Sequence, residues 1–198
     1  ESPGTWQPAL TAWSLGDAYW ATGQHDLALQ TYRKAIPHAE AAITAEASPY
    51  RLRTLAALHQ NIGELLLQRG ETRGALTALR LAEAGFEKLL PSPPSDIPVS
   101  EKLAEVRLSM SSAHILNNAL RTATTLLKDT LQAAANDRQP SPRHQFLVAN
   151  CRLRLGELHR WQMQLTDAVQ ELTKTLKELR ALQKADPDNL EITRLITL

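Results

Sequence analysis

Leu15-Gly16-Asp17-Ala18-Tyr19, followed by Ala28 and Tyr32, sets a spacing that the chain then repeats three times. The second copy carries Ile62-Gly63, Leu66, Ala75 and Leu79. The third carries Met110-Ser111, His114, Ala123 and Leu127, and the fourth Leu155-Gly156, His159, Ala168 and Leu172. In all four a small residue leads, a marker follows three later, an alanine twelve later, and a large residue four after that. The period is 47, 48 and then 45 residues. Such recurrence is the signature of a repeat architecture, in which each unit buries its apolar face against its neighbours. The physics is helix against helix: Gly or Ser on the first helix and Ala on the second let two backbones approach. Leu15, Tyr32, Ile62, Leu79, Leu127, Leu155 and Leu172 are expected to fill the space around these contacts.

Composition agrees. Among 198 residues are 34 leucines and 28 alanines against 4 valines and 7 isoleucines, a helix-former balance that excludes a sheet-built protein. The spacing and the punctuation predict nine helices, at about 8–22, 26–46, 50–69, 72–90, 99–117, 120–136, 142–163, 166–185 and 189–198. Gly23, Gly70 and Asn118 mark left-handed turns within pairs. Asp26, Thr72, Thr122 and Thr166 are expected as N-caps or first-turn residues. Pro49, the run Pro91-Ser92-Pro93-Pro94 with Pro98, Pro140 with Pro142, and Pro187 punctuate the joints between repeats. Pro37 falls inside the second helix, where a kink or break is expected.

These residues resemble a tetratricopeptide (TPR) repeat, whose pattern is W-x2-L-G-x2-Y…A-x3-F. The likeness runs from about Pro8 to Leu198. It is closest in repeats one and two. In the others Ser111 replaces Gly, and His114 and His159 replace the aromatic. The family period is 34 residues. Where TPR motifs close with proline this chain has Glu40, Glu87, Ala135 and Arg180, so its helices should be longer. The resemblance implies an all-α, right-handed α-solenoid of four extended helix pairs plus a C-terminal helix. The repeats lie at about 8–49, 50–97, 98–141 and 142–186, with a terminal helix at 188–198, in a single domain over 1–198. Leu190, Ile192, Leu195, Ile196 and Leu198 would make that last helix a cap, or the start of a fifth repeat offering a homodimer contact.

Site chemistry is sparse. Lys plus Arg (22) against Asp plus Glu (21) leaves a net charge of +1, which argues against a nucleic-acid partner. No apolar run approaches the roughly 18 residues of a membrane span, and the start carries no basic-then-apolar signal segment. The chain opens at Glu1 rather than Met, which reads as an excised fragment or processed product; cytoplasm is the favoured compartment, with an extracytoplasmic sensor domain as the alternative. The single cysteine, Cys151, excludes an internal disulfide and reads as a packed residue. No two of His25, His38, His59, His114, His144 and His159 stand three or four apart, so no local metal pair forms, and no phosphate loop or nucleophile elbow is present. No cofactor and no catalysis are expected.

What remains is surface. In the TPR family the first helices line a concave groove. Carried onto this chain, that groove offers Trp13, Asp17 and Trp20 in repeat one, and Gln60, Asn61, Glu64 and Gln68 in repeat two. Repeat three offers Glu105, Ser109 and Ser112; repeat four Asn150, Arg154, Glu157, Arg160 and Trp161. Trp13, Trp20 and Trp161 would be apolar anchors, and Arg154 with Arg160 a carboxylate-binding pair. A TPR subtype that clamps C-terminal carboxylates uses Lys, Asn and Arg. Here Trp13 and Asp17 stand at the first two of those positions, Glu105 and Ser109 replace the basic pair, and only Asn61 fits, so that activity is not expected. The reading is a non-catalytic protein- or peptide-binding scaffold, a module of a larger bacterial signalling or regulatory protein. The alternatives are a ligand- or signal-peptide-sensing regulatory domain, for example of a Ser/Thr kinase, and a structural oligomerisation module.

Overall fold

The computed structural model describes residues 6–90, 99–137 and 140–197. Among these residues the fold is all-α: α1 (Trp6–Ala21), α2 (His25–Ala45), α3 (Pro49–Gln68), α4 (Thr72–Glu87), α5 (Val99–Leu116), α6 (Leu120–Ala134), α7 (Pro142–Trp161), α8 (Leu165–Ala185) and α9 (Leu190–Ile196). No helix among them is long and apolar enough to cross a membrane. The chain divides into two compact units, Glu1–Val99 and Ser100–Leu198, a boundary between the second and third repeats. The proline run at 91–94 and Pro98 lie outside the described residues. In the first unit α1 packs on α2, α2 on α3 and α3 on α4; in the second α6 packs on α7, α7 on α8 and α8 on α9.

The fixed spacing of the repeat has a backbone cause. Gln24, Glu71, Ala119 and Gln164 each donate an N–H to the carbonyl five residues back, on Tyr19, Leu66, His114 and His159, at 2.8–2.9 Å. The carbonyls of the same four turn residues accept from Ala28, Ala75, Ala123 and Ala168 at 2.9–3.1 Å. Five plus four residues is the interval from marker to alanine, so each turn is the same helix stop followed by the same helix start. Its left-handed residue is Gly23 (φ 75°), Gly70 (φ 74°), Asn118 (φ 56°) and, in the fourth turn, Met163 (φ 60°). Met163 is 77% exposed, so its side chain contributes little packing while its backbone bears the left-handed cost. Met163→Gly is expected to raise the stability of the second unit by about 0.5–1 kcal/mol, read from the urea midpoint.

Helix starts within the pairs are not capped by side chains: Gln24, Glu71, Ala119 and Gln164 make no cap bond. Asp26, Thr72, Thr122 and Thr166 instead lie inside the first turns, and the Asp26 carboxylate is held by Arg69 Nη1 at 2.5 Å. Side-chain caps sit at the joints. Ser48 and Ser141 accept from Arg51 N (3.3 Å) and His144 N (3.0 Å), each with proline at the next position, and Asn189 accepts from Glu191 N and Ile192 N. Pro37 does not break α2, which runs unbroken to Ala45. Pro37 is on the exposed side, where the carbonyl it leaves without a donor is open to water.

Packing follows the small-against-large pattern. A Cβ on Gly16 would stand 2.5 Å from the Tyr32 ring, on Gly63 2.6 Å from Leu79 Cγ, and on Gly156 2.8 Å from Leu172. Ser111 takes the same place in repeat three, buried, with Oγ donating to the Leu108 carbonyl at 2.7 Å. Ala28, Ala75, Ala123 and Ala168 are all buried. Ala28→Leu or Ala75→Leu is therefore expected to destabilise by about 1–3 kcal/mol through overpacking, and Ala47→Leu, on an exposed position, to be nearly silent in thermal melts. Of the large residues, Leu15 alone turns outward and is 46% exposed. Its counterpart Ile62 is buried against α2, whereas no described helix precedes α1.

Candidate functional site

In the first unit the candidate face is formed by α1 and α3. Asp17 lies on α1, and its Oδ1 accepts from Tyr32 Oη at 2.5 Å and from Asn61 Nδ2, on α3, at 3.3 Å. The first helices of repeats one and two thus place side chains of the expected face within reach of each other. Glu64 is half-buried and accepts from Gln60 Nε2 at 2.9 Å; Gln68, one turn on, is exposed. Burial and the Asp17 carboxylate push the Tyr32 phenol well above its usual range.

Three expected groove residues of this unit sit deeper than the resemblance implies. Gln60 is 6% exposed and belongs to the packed side of α3. Trp13 stands at the equivalent position one period earlier; it is half-buried, packs against the core, and its indole N–H is buried with no acceptor. Trp20 packs edge-on against Tyr32, centroids 6.3 Å apart at 71°. A shift of one residue turns a side chain by about 100° around a helix, which separates facing the groove from facing the core. Trp6 is engaged as well, edge-on to Tyr50 at 5.7 Å with the Arg51 guanidinium 5.8 Å from its ring.

In the second unit Ser109 and Ser112 on α5 are half-buried, and Ser112 Oγ donates to the Leu108 carbonyl. On α7, Asn150, Arg154 and Glu157 are half-buried, Arg160 is exposed, and Trp161 is 49% exposed. Arg154 and Glu157 form a loose ion pair at 4.0 Å. Arg160, six residues beyond Arg154, is turned about 120° from it, so the two do not converge on one carboxylate. Glu105 is held by Lys102 at 2.7 Å and approached by Arg143 at 3.4 Å; Arg143 also reaches Glu191 on α9. Arg152, which the sequence did not single out, joins α7 to α8 through Glu171 (3.0 Å) and Glu178 (3.2 Å).

Cys151 and three of the histidines are tied into the packing. Burial pushes the Cys151 thiol up to about 12, far from a reactive thiolate. His114 and His159, at the marker position, are buried, and His159 Nδ1 lies 2.5 Å from Gln164 Oε1. Buried His144 sets Nδ1 3.2 Å from both Ser100 Oγ and Asp137 Oδ2. Burial holds His59 below its ordinary range. No group of three or more metal-ligating side chains is present among the described residues.

No family model matches the chain, and no curated protein sequence matches it. Among solved structures it is similar to the crystal structure of BtubC (BKLC) from P. vanneervenii, at 14% identity and a TM-score of 0.70. The match covers 88% of this chain and 64% of that one, and at this identity it bears on the fold alone.

Proposed function

We propose that this chain is a TPR-like repeat array that acts as a non-catalytic binding scaffold for a protein or peptide segment. The observation that carries the reading is the pairing of α1 with α3 through Asp17 and Asn61, side chains 44 residues apart in sequence. Side-by-side first helices make a continuous face, and the groups on it suit an extended peptide. Asp17 and Glu64 accept from amides or a cationic side chain, while Asn61 and Gln68 offer both donor and acceptor. In the second unit Arg154 and Glu157 supply charge, and exposed Trp161 is the aromatic anchor. A deeply buried thiol, and the burial of His114, His144 and His159, support the absence of catalysis. The further reading, a module of a larger regulatory protein, rests on the resemblance of the long-period repeats.

The test is a random peptide display library panned on the chain. Enriched peptides are expected to bind wild type and to lose at least tenfold in affinity on an Asn61→Arg, Arg154→Glu, Trp161→Ala variant that melts as wild type does. Failure to enrich any peptide, or equal binding by the folded variant, would overturn the proposal.

A further inference from the structure

Core positions repeat in this chain because packing requires it. Exposed positions are under no such requirement, yet one set of them repeats as well. Two residues before the buried alanine of α4 and of α6 stand Arg73 and Arg121, two after it Thr77 and Thr125, and five after it Arg80 and Lys128. All six are exposed, and the spacing i, i+4 and i+7 puts each set on one outer line of its helix. In the first unit α2 adds Arg33, exposed at the place that Arg80 has on α4. Both α2 and α4 lie on α3, and they share one apolar cluster, Leu29 and Tyr32 with Ala75 and Ala78.

These cations have no partner. No ion pair holds Arg33, Arg73, Arg80, Arg121 or Lys128 among the described residues. Asp26 and Glu71, at the same end of the first unit as Arg73, are both taken by Arg69. Arg73 and Arg121 are each the second residue of their helix, where the helix dipole disfavours positive charge, and neither first turn carries an acidic residue to offset it. The first turns of α2 and α8 hold Asp26 and Asp167 instead. A placement that works against the helix and recurs at the same exposed position points to a role outside the fold.

The basic face is short. Twelve residues after the alanines of α2 and α4, Glu40 and Glu87 put negative charge at the other end of the two outer surfaces, both exposed. A nucleic-acid backbone or an anionic bilayer lying along these helices would meet those carboxylates, whereas a short acidic segment would not. The guanidinium fork suits a carboxylate, which it can bind through two parallel hydrogen bonds. Beside Arg80, Leu81 is 50% exposed and offers an apolar contact that a protein segment can use.

We infer that the outer face of α4, with Arg33 of α2, docks a short acidic segment of a partner protein, its carboxylates received by Arg73 and Arg80, and that α6 offers the same reception through Arg121 and Lys128. The two cations of a row are about 10 Å apart along the helix, the rise of seven residues, and three residues of extended chain span the same distance. The segment therefore carries acidic residues three apart. This surface lies on second helices and does not depend on the face proposed for α1 and α3.

The test uses the full chain and two labelled 12-residue peptides, one with glutamate at every third position and one with glutamine in its place. By fluorescence anisotropy at low salt the glutamate peptide is expected to bind at least tenfold more tightly. Arg73→Glu with Arg80→Glu is expected to weaken it at least fivefold, and adding Arg121→Glu and Lys128→Glu to bring it to the level of the glutamine peptide. Lys177→Glu with Lys184→Glu makes the same change in net charge on exposed lysines of α8, and is expected to alter binding less than twofold. Arg73→Glu with Arg121→Glu is expected to melt no lower than wild type, since each places a favoured charge in a first turn, so that its loss of binding is not a loss of fold. Equal binding of the two peptides, an equal loss in the α8 variant, or a lowered melting midpoint would each overturn the inference. So would tighter binding of a single-stranded oligonucleotide or of phosphatidylserine vesicles that the same row variants abolish, since the partner would then be a polyanion or a membrane.

Discussion

Tyr32→Ala is expected to destabilise the first unit by about 3–5 kcal/mol, the range for emptying a buried aromatic site. Tyr32 is fully buried on α2, and its ring fills the space that Gly16 leaves open on α1. Removing it leaves a cavity that Gly16 has no side chain to fill. Tyr32→Phe separates the hydroxyl from the ring. It keeps the packing and deletes the bond to Asp17, for an expected loss of about 1–3 kcal/mol, the upper end applying because the acceptor is a carboxylate. The same pair of variants carries a pH signature. Burial and the nearby carboxylate raise the Tyr32 phenol above its unfolded value of about 10, so the folded state holds this proton more tightly than the unfolded chain. The stabilisation from that proton is therefore complete below pH about 10 and is lost as pH rises above it, at up to about 1.4 kcal/mol per pH unit. Wild type should lose stability through this range faster than Tyr32→Phe in parallel denaturant titrations. Parallel slopes would show that the hydroxyl is not held as described.

The same residues show what the sequence made legible. Helix pairs were readable because backbone geometry fixes the marker-to-alanine interval, and any chain that makes this turn four times must repeat it. The ends expected at 26–46 and 166–185 fall at His25–Ala45 and Leu165–Ala185. The fourth turn was harder, since Met163 has no local preference for the left-handed conformation that Gly23 and Gly70 adopt freely. Of the two roles open to Asp26, Thr72, Thr122 and Thr166, cap or first-turn residue, the structure gives the second, for a related reason. Once the turn's own N–H closes the five-residue bond, Asp26 or Thr72 has no special donor to meet, whereas Ser48 and Ser141, each followed by proline, do.

The binding face was only partly legible. Asp17 and Asn61 meet across α1 and α3, whereas Gln60, one position before Asn61 and so turned about 100° from it, is packed inward, and Trp13, its counterpart one period earlier, is half-buried against the core.

Leu79→Ala and Gly63→Ala together probe the small-against-large contact most directly. Leu79 is fully buried on α4, and Leu79→Ala is expected to cost about 2–5 kcal/mol through the cavity it leaves. Gly63→Ala alone sets two effects against each other. Alanine is favoured over glycine inside a helix by about 1 kcal/mol. Its methyl, however, would stand 2.6 Å from Leu79 Cγ, 2.8 Å from Cδ2 and 3.3 Å from the Ala75 carbonyl oxygen. Leu79 is fully buried, and overpacking of about 1–3 kcal/mol outweighs the propensity gain, so the single variant should be less stable than wild type. In the Leu79→Ala background the obstruction is gone. The added methyl then gains its helix propensity and fills part of the cavity, and the double variant should be more stable than Leu79→Ala alone by about 1 kcal/mol or more. One substitution thus destabilises in one background and stabilises in the other, a coupling that only groups in direct contact produce. Denaturant midpoints of the four proteins measure it. If Gly63→Ala has the same sign in both backgrounds, Gly63 does not face Leu79, and the register relating all four repeats fails with it.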